Sequence, residues 1–145
     1  VTGVQTCALP IFRDALAGGR AALPIDGFYE WEGPPSAREP SWFHLPGERP
    51  LLLAALAVDG PGGPAFTILT TAAVAPVVRL HDRMPVILPP GEVDAWLAEG
   101  PPPPLPAPPP GLLLARRVSP RVNSPANEGP ACLEPPAPPA QGSLF

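Results

Sequence analysis

Two short runs in this chain hold residue types that move protons. Gly27-Phe28-Tyr29-Glu30-Trp31 sets one carboxylate inside an aromatic, apolar stretch. His81-Asp82-Arg83-Met84-Pro85 crowds three ionisable side chains ahead of the apolar run Val86-Ile87-Leu88. Burying a carboxylate is costly and raises its pKa, and histidine titrates near neutrality. A Glu with a raised pKa and a His are the parts needed to give and take protons at pH 7. Each run also has a plainer reading. Strand side chains alternate faces, so Glu30 could point at solvent between core aromatics. His81-Asp82-Arg83 could be a surface turn whose ion pairs contribute little.

The elements that must position these runs are short strands. Leu23–Trp31, Ser41–Leu45, Leu51–Val58 and Phe66–Thr71 are apolar, aromatic or β-branched, and so are predicted strands. Met84–Leu88 and Leu112–Val118 complete the set. Pro46-Gly47-Glu48-Arg49 and Asp59–Pro64 carry turn residues. Glu92–Glu99 follows Pro89-Pro90-Gly91 and stops at Gly100, which marks a short helix. Pro101–Pro110 is a proline-rich insert, expected as an extended surface loop. It could be a tolerated low-complexity insertion or a docking segment for an aromatic groove. His44 alternates with Phe43 and Leu45, which places it on the solvent face of its strand. The expected fold is α+β and mainly β: a mixed, mostly antiparallel, barrel-like sheet with short peripheral helices.

Several motifs occur together and in order: FRDAL at Phe12–Leu16, LPIDGFYEW at Leu23–Trp31, PSWFHL at Pro40–Leu45, FTILTTAA at Phe66–Ala73, LHDRMPVIL at Leu80–Leu88 and VDAWL at Val93–Leu97. VSPRVNSPANEGPACLEP follows at Val118–Pro135. This series resembles the SOS-response-associated peptidase (SRAP) family, the abasic-site processing proteins. The resemblance implies capture of abasic sites in single-stranded DNA during the DNA damage response. An N-terminal Cys, exposed by removal of the initiator Met, condenses with the ring-opened sugar aldehyde. Its amine forms a Schiff base and its thiol closes a thiazolidine, a covalent crosslink that needs a proton shuttle beside it. The peptidase label belongs to the processing that exposes the Cys. By the resemblance, Glu30 is the acid/base near the amine and aldehyde, and His81 assists ring opening at the sugar oxygens. Thr70 and Arg83 match positions that contact the DNA backbone, and a guanidinium suits a phosphate. The alternative function is a non-catalytic module, or an inactive relic, that binds DNA or a sliding clamp without crosslinking.

The match has departures. Val74 stands near a place where the family usually has Asn, which puts one polar contact in question. The Met-Cys-Gly start of the family is not in this sequence, whose first residue is Val1. Residues 1–11 resemble no part of the family and read as the translation of a sequencing adapter, to be set aside from the fold. On this reading residues 12–135 are a partial domain, incomplete at its N-terminus, and residues 136–145 a flexible tail. Cys7 then has no free α-amine and cannot replace the family's Cys.

Composition bounds the rest. The 145 residues are one domain's length, with 28 Pro, 14 Gly and 45% apolar residues. The net charge of −4 is not the footprint of a strong nucleic-acid binder. All nine basic residues are Arg, which a GC-rich genome explains. Cys7 and Cys132 make no disulfide framework, and Cys132 is expected as a small packed residue. No Cys/His spacing suits zinc, and no cofactor is implied. Leu51–Val58 is too short to span a membrane. Cytoplasm, at replication forks on the nucleoid, is the expected location. The last residues, Gln141-Gly142-Ser143-Leu144-Phe145, resemble the peptides by which bacterial DNA-processing proteins dock on the replicative sliding clamp. One Gln for polar recognition and Leu144 with Phe145 for an apolar pocket follow a flexible proline spacer.

Overall fold

The computed structural model describes residues 10–60, 62–105 and 108–138. Helix α1 (Pro10–Gly18) leads into β1 (Arg20–Ile25), β2 (Phe28–Glu32), β3 (Glu39–His44), β4 (Leu51–Gly60), β5 (Gly63–Ile68), β6 (Thr70–Ala72) and β7 (Arg83–Pro85). Helix α2 (Val93–Leu97) and β8 (Leu114–Arg117) follow, with 3-10 turns between the elements and after them. The strands form three small antiparallel sheets, ordered β1-β4-β5, β2-β3-β8 and β6-β7. The fold is thus α+β and mainly β, as expected. Two details differ from the expectation. Every strand pairing among the described residues is antiparallel, and the sheets do not close into a barrel.

Strand β4 is central because both of its faces are apolar. Leu51 and Leu53 point into one cluster with Phe43, Val77, Met84, Ile87 and Leu113. Ala54 and Leu56 point into a second cluster with Ala15, Val86, Leu88 and Trp96. The alternation that separates these faces is the period of two along a strand. The same alternation runs through Val86-Ile87-Leu88, where Ile87 joins the first cluster and its two neighbours the second. This segment continues beyond β7 and bonds to the first half of β4. The Ala54 N–H donates to the Val86 carbonyl at 2.9 Å, and the Leu88 N–H to the Leu52 carbonyl at 2.7 Å. The third sheet is therefore tied to the first through β4.

The second cluster lies beneath the helices. Trp96 is buried, and its indole N–H donates to the Ala21 carbonyl at 2.8 Å. Arg20 clasps both helix ends. Its guanidinium donates to the carbonyls of Leu16 (2.6 Å), Trp96 (2.5 Å), Gly100 (2.8 Å) and Ala98. Carbonyls left over at helix C-termini carry partial negative charge, so a cation there satisfies and stabilises them.

Three local expectations change. The run Leu23–Trp31 is not one strand. It breaks at Asp26-Gly27, and its halves enter different sheets as β1 and β2. His44 does not face solvent. It is 8% exposed and stacks on Trp42, with ring centroids 4.1 Å apart. Strand β3 is the middle strand of its sheet, and Trp42 and His44 are buried on one face as Phe43 is on the other, so both faces are covered. The proline-rich insert lies largely at the surface, but Leu105 packs against the second cluster and Pro108 is buried. Cys132 is buried and unpaired by any disulfide.

Candidate functional site

The site grows from the register of β2 on β3. Phe28 lies opposite Phe43 and Glu30 opposite Ser41. The Phe28 and Phe43 rings stack at 5.4 Å, and Phe43 belongs to the first core cluster. Alternation then puts Glu30 on the inward face, two residues on from Phe28. The plainer reading, a strand Glu aimed at bulk water, does not hold, for Glu30 is partly buried. Gly27 makes this register possible. A Cβ there would sit 2.5 Å from the Phe43 carbonyl oxygen and overlap the Trp42 indole. Only glycine lets the chain leave β1 and settle against β3 at this point.

Desolvation raises the Glu30 pKa above its ordinary value, and the nearby His81 pulls it partly back. The two proton carriers named from sequence, 51 positions apart, are thus electrostatic neighbours. His81 follows a turn that packs into the first cluster through Val77 and Leu80. The 3-10 turn Val77–Arg79 anchors on buried Val77, and the His81 N–H donates to the Val77 carbonyl at 3.1 Å. The Asp82 carbonyl accepts from the Ala73 N–H at 2.9 Å, which joins this turn to the end of β6. Buried Met84 then locks β7 in place.

Thr70 and Arg83 also meet. They lie diagonally across the β6-β7 pair. The Arg83 guanidinium donates to Thr70 Oγ1 at 2.9 and 3.3 Å and to the Thr70 carbonyl at 2.6 Å. Both side chains are exposed beside His81. A carboxyl with a raised pKa, an imidazole and a guanidinium held in one orientation can pass protons and hold an anion. Among the described residues no group of three or more His, Cys, Asp or Glu could hold a metal ion. No helix among them is long and apolar enough to cross a membrane.

Sequence reasoning did not find the outer face of the second sheet. There Arg116 lies over the Trp42 ring at 4.7 Å, and the Trp31 indole donates to Asn123 Oδ1 at 2.7 Å. Asn123 also donates to the Arg38 carbonyl at 2.9 Å, which pins the late segment beside β2. Burial raises the Tyr29 pKa here, with Cys132 adding to the rise and Arg116 opposing it. The motif at Val118–Pro135 hinted at this segment, but nothing local told which face it would cover. Cys7, Gln141, Leu144 and Phe145 lie outside the described residues.

Residues 5–125 match the family model for SOS response associated peptidase (SRAP). The chain belongs to this family. It is 29% identical over 101 residues to the abasic site processing protein YedK of Escherichia coli (strain K12), covering 66% of this chain and 46% of that protein. It is 32% identical over 142 residues to the abasic site processing protein YoqW of Bacillus subtilis (strain 168), covering 86% of this chain and 61% of that one. The chain therefore spans about half to three fifths of these relatives' length. Among solved structures, a protein from Bacteroides thetaiotaomicron superposes with a TM-score of 0.69 at 20% identity, over 89% of this chain and 62% of that one. That likeness concerns the fold. A protein from Bordetella bronchiseptica gives a TM-score of 0.60 at 29% identity, over 74% of this chain and 59% of its own.

Proposed function

We propose that this SRAP protein processes abasic sites in single-stranded DNA by covalent capture, with Glu30 and His81 as its proton carriers. The observation that carries the reading is their juxtaposition: a carboxyl whose pKa burial raises, with the His81 imidazole near enough to oppose the rise. The relatives' names, abasic site processing proteins, support the same substrate. The reaction begins when an N-terminal amine attacks the sugar aldehyde. Glu30 gives its proton to the departing hydroxyl, so water leaves and a Schiff base forms. The Cys thiol then adds to the imine carbon, and the thiazolidine closes. His81 protonates the sugar oxygen as the ring opens. The amine and thiol must belong to one N-terminal Cys, as the resemblance to the family implies. Removal of the initiator Met is the peptidase step of this scheme.

Arg83 and Thr70 are read as the grip on the DNA backbone. The guanidinium, oriented by Thr70, is suited to a phosphate oxygen. We further read Gln141, Leu144 and Phe145 as a sliding-clamp contact, which would tether the protein at stalled forks in the cytoplasm. A labelled tail peptide tests it against purified clamp. Micromolar binding lost in Leu144→Ala/Phe145→Ala is expected, and no saturable binding refutes it.

The main test uses the full-length product of the gene and an abasic single-stranded oligonucleotide. The readout is a crosslink stable to boiling on a denaturing gel. Glu30→Gln should slow capture on the order of 10²–10⁴-fold, the usual contribution of a general acid. His44→Gln, in a buried stack away from this face, should not approach that loss. Equal rates for the two variants would remove Glu30 from the chemistry. Binding without crosslinking in the full-length protein would favour the non-catalytic DNA-binding reading instead.

A further inference from the structure

The ring of His81 has one nitrogen already engaged. Nδ1 accepts from the Arg83 main-chain N–H at 3.0 Å. The Arg83 carbonyl oxygen lies 2.9 Å from the same nitrogen, and Asp82 Oδ1 lies 3.5 Å away. One of these partners is a donor and two are acceptors. A neutral imidazole with its proton on Nε2 takes the Arg83 N–H on its Nδ1 lone pair, whereas one with its proton on Nδ1 would donate to the Arg83 carbonyl. An imidazolium carries a proton on Nδ1, which the Arg83 carbonyl and the Asp82 carboxylate can accept. Both charge states find partners on the same two residues, so the ring need not turn to change between them. With Nδ1 occupied, Nε2 is the nitrogen that can serve substrate.

We propose that Asp82-Arg83 forms a two-way socket for His81 Nδ1. It holds the neutral ring as the Nε2–H tautomer, and it steadies the imidazolium through the Asp82 carboxylate. Nε2 alone then exchanges protons with substrate. Asp82 is a positioning residue, since it acts through His81 and not on the reacting atoms. The proposal rests on His81 being a proton carrier in abasic-site capture. The charged groups around the ring are Glu30 from β2, Asp82 beside it in the turn, and Arg83 at the start of β7. Arg83 directs its guanidinium to Thr70, and burial raises the pKa of Glu30 while His81 opposes that rise. Asp82 is the carboxylate at Nδ1, with its Oδ1 3.5 Å away. It is 92% exposed, so its influence is that of a solvated ion pair.

The test is ring-nitrogen NMR on the 15N-labelled chain across about pH 5–9, the range in which histidine titrates. The chain has two histidines, His44 and His81, and His44→Gln assigns the signals. Above the midpoint His81 should show the Nε2–H pattern. Asp82→Asn should lower the midpoint by roughly 0.2–0.7 pH unit, the reach of an exposed ion pair. Asp82→Glu should restore it, and concentrated salt should shrink the difference. An Nδ1–H tautomer at high pH, or a midpoint unmoved by Asp82→Asn, overturns the proposal. The readout involves no DNA. Failure of the capture reaction with this NMR result intact would count against the function alone. The reverse outcome would count against the socket alone.

Discussion

Gly27→Ala should separate β2 from β3 and take the site with it. The Cβ of an alanine would lie 2.5 Å from the Phe43 carbonyl oxygen and 2.7 Å from Trp42 Cε2. Ordinary contact begins near 3.4 Å, so the shortfall against the main-chain oxygen is about 0.9 Å. Trp42 is 3% exposed, stacked with the His44 ring and in contact with the Arg116 guanidinium, so its indole has little room to retreat. Phe43 is fully buried, so its carbonyl cannot move without the core. Overpacking usually costs about 1–3 kcal/mol, and an obstacle of main chain and a fixed ring puts this case at the upper end, ~3 kcal/mol. At about 2–4 °C per kcal/mol for a chain of this size, Tm should fall by roughly 6–12 °C. Glu30 is three residues on and would be displaced with its strand. Misplacing a catalytic group by about 1 Å can cost on the order of 10²-fold in rate. Gly91→Ala is the control, because nothing lies within 4 Å of a Cβ there and its φ is not positive. Urea titration of both variants, with crosslinking rates in the full-length protein, decides the matter. Equal stability for Gly27→Ala and Gly91→Ala would refute the packing argument.

Glu30→Gln should stabilise the fold as pH rises. Burial lifts the folded-state pKa of Glu30, so between the ordinary value and the raised one the native chain binds more proton than the unfolded chain. Stability from this group therefore falls as pH rises through that window. Denaturation midpoints of wild type and variant should diverge in the variant's favour as pH rises from the ordinary carboxylate pKa to the raised one, and parallel curves would contradict the desolvation of Glu30. His81→Ala should leave Tm within a few degrees, since the side chain is half exposed. His44→Ala should lose about 2 kcal/mol, because it empties a buried stacked position; thermal melts of the pair would show the reverse order if the two roles were exchanged. Arg20→Gln should lose roughly 2–3 kcal/mol, by forfeiting two or more charged hydrogen bonds and contact with the Trp96 face. A loss below about 0.5 kcal/mol in urea titration would show that the helix ends do not depend on the clasp.

The local chemistry was legible in the chain itself. The strand segments around Phe43, Leu53 and Ile87 follow from alternation and β-branched or aromatic content, because those properties act between near neighbours. Glu30 and His81 could be named because ionisable residues set in apolar runs stand out against a chain with few charges. The order of motifs likewise pointed to the family. What sequence could not decide was which strand meets which. The stretch from Leu23 to Trp31 looks continuous, yet the tight approach of Gly27 to Trp42 and Phe43 splits it between two sheets. His44 alternates like a surface residue, but its strand became the middle of a sheet and both faces were covered. Arg20 carries no sequence signal of its role, because the carbonyls it binds lie as far as 80 positions away. The closeness of Glu30 to His81, and of Thr70 to Arg83, likewise depends on contacts between elements. Propensity and periodicity describe a residue's immediate neighbours. Tertiary packing alone determines which distant groups share a space, and with it the desolvation and pairing that set their chemistry.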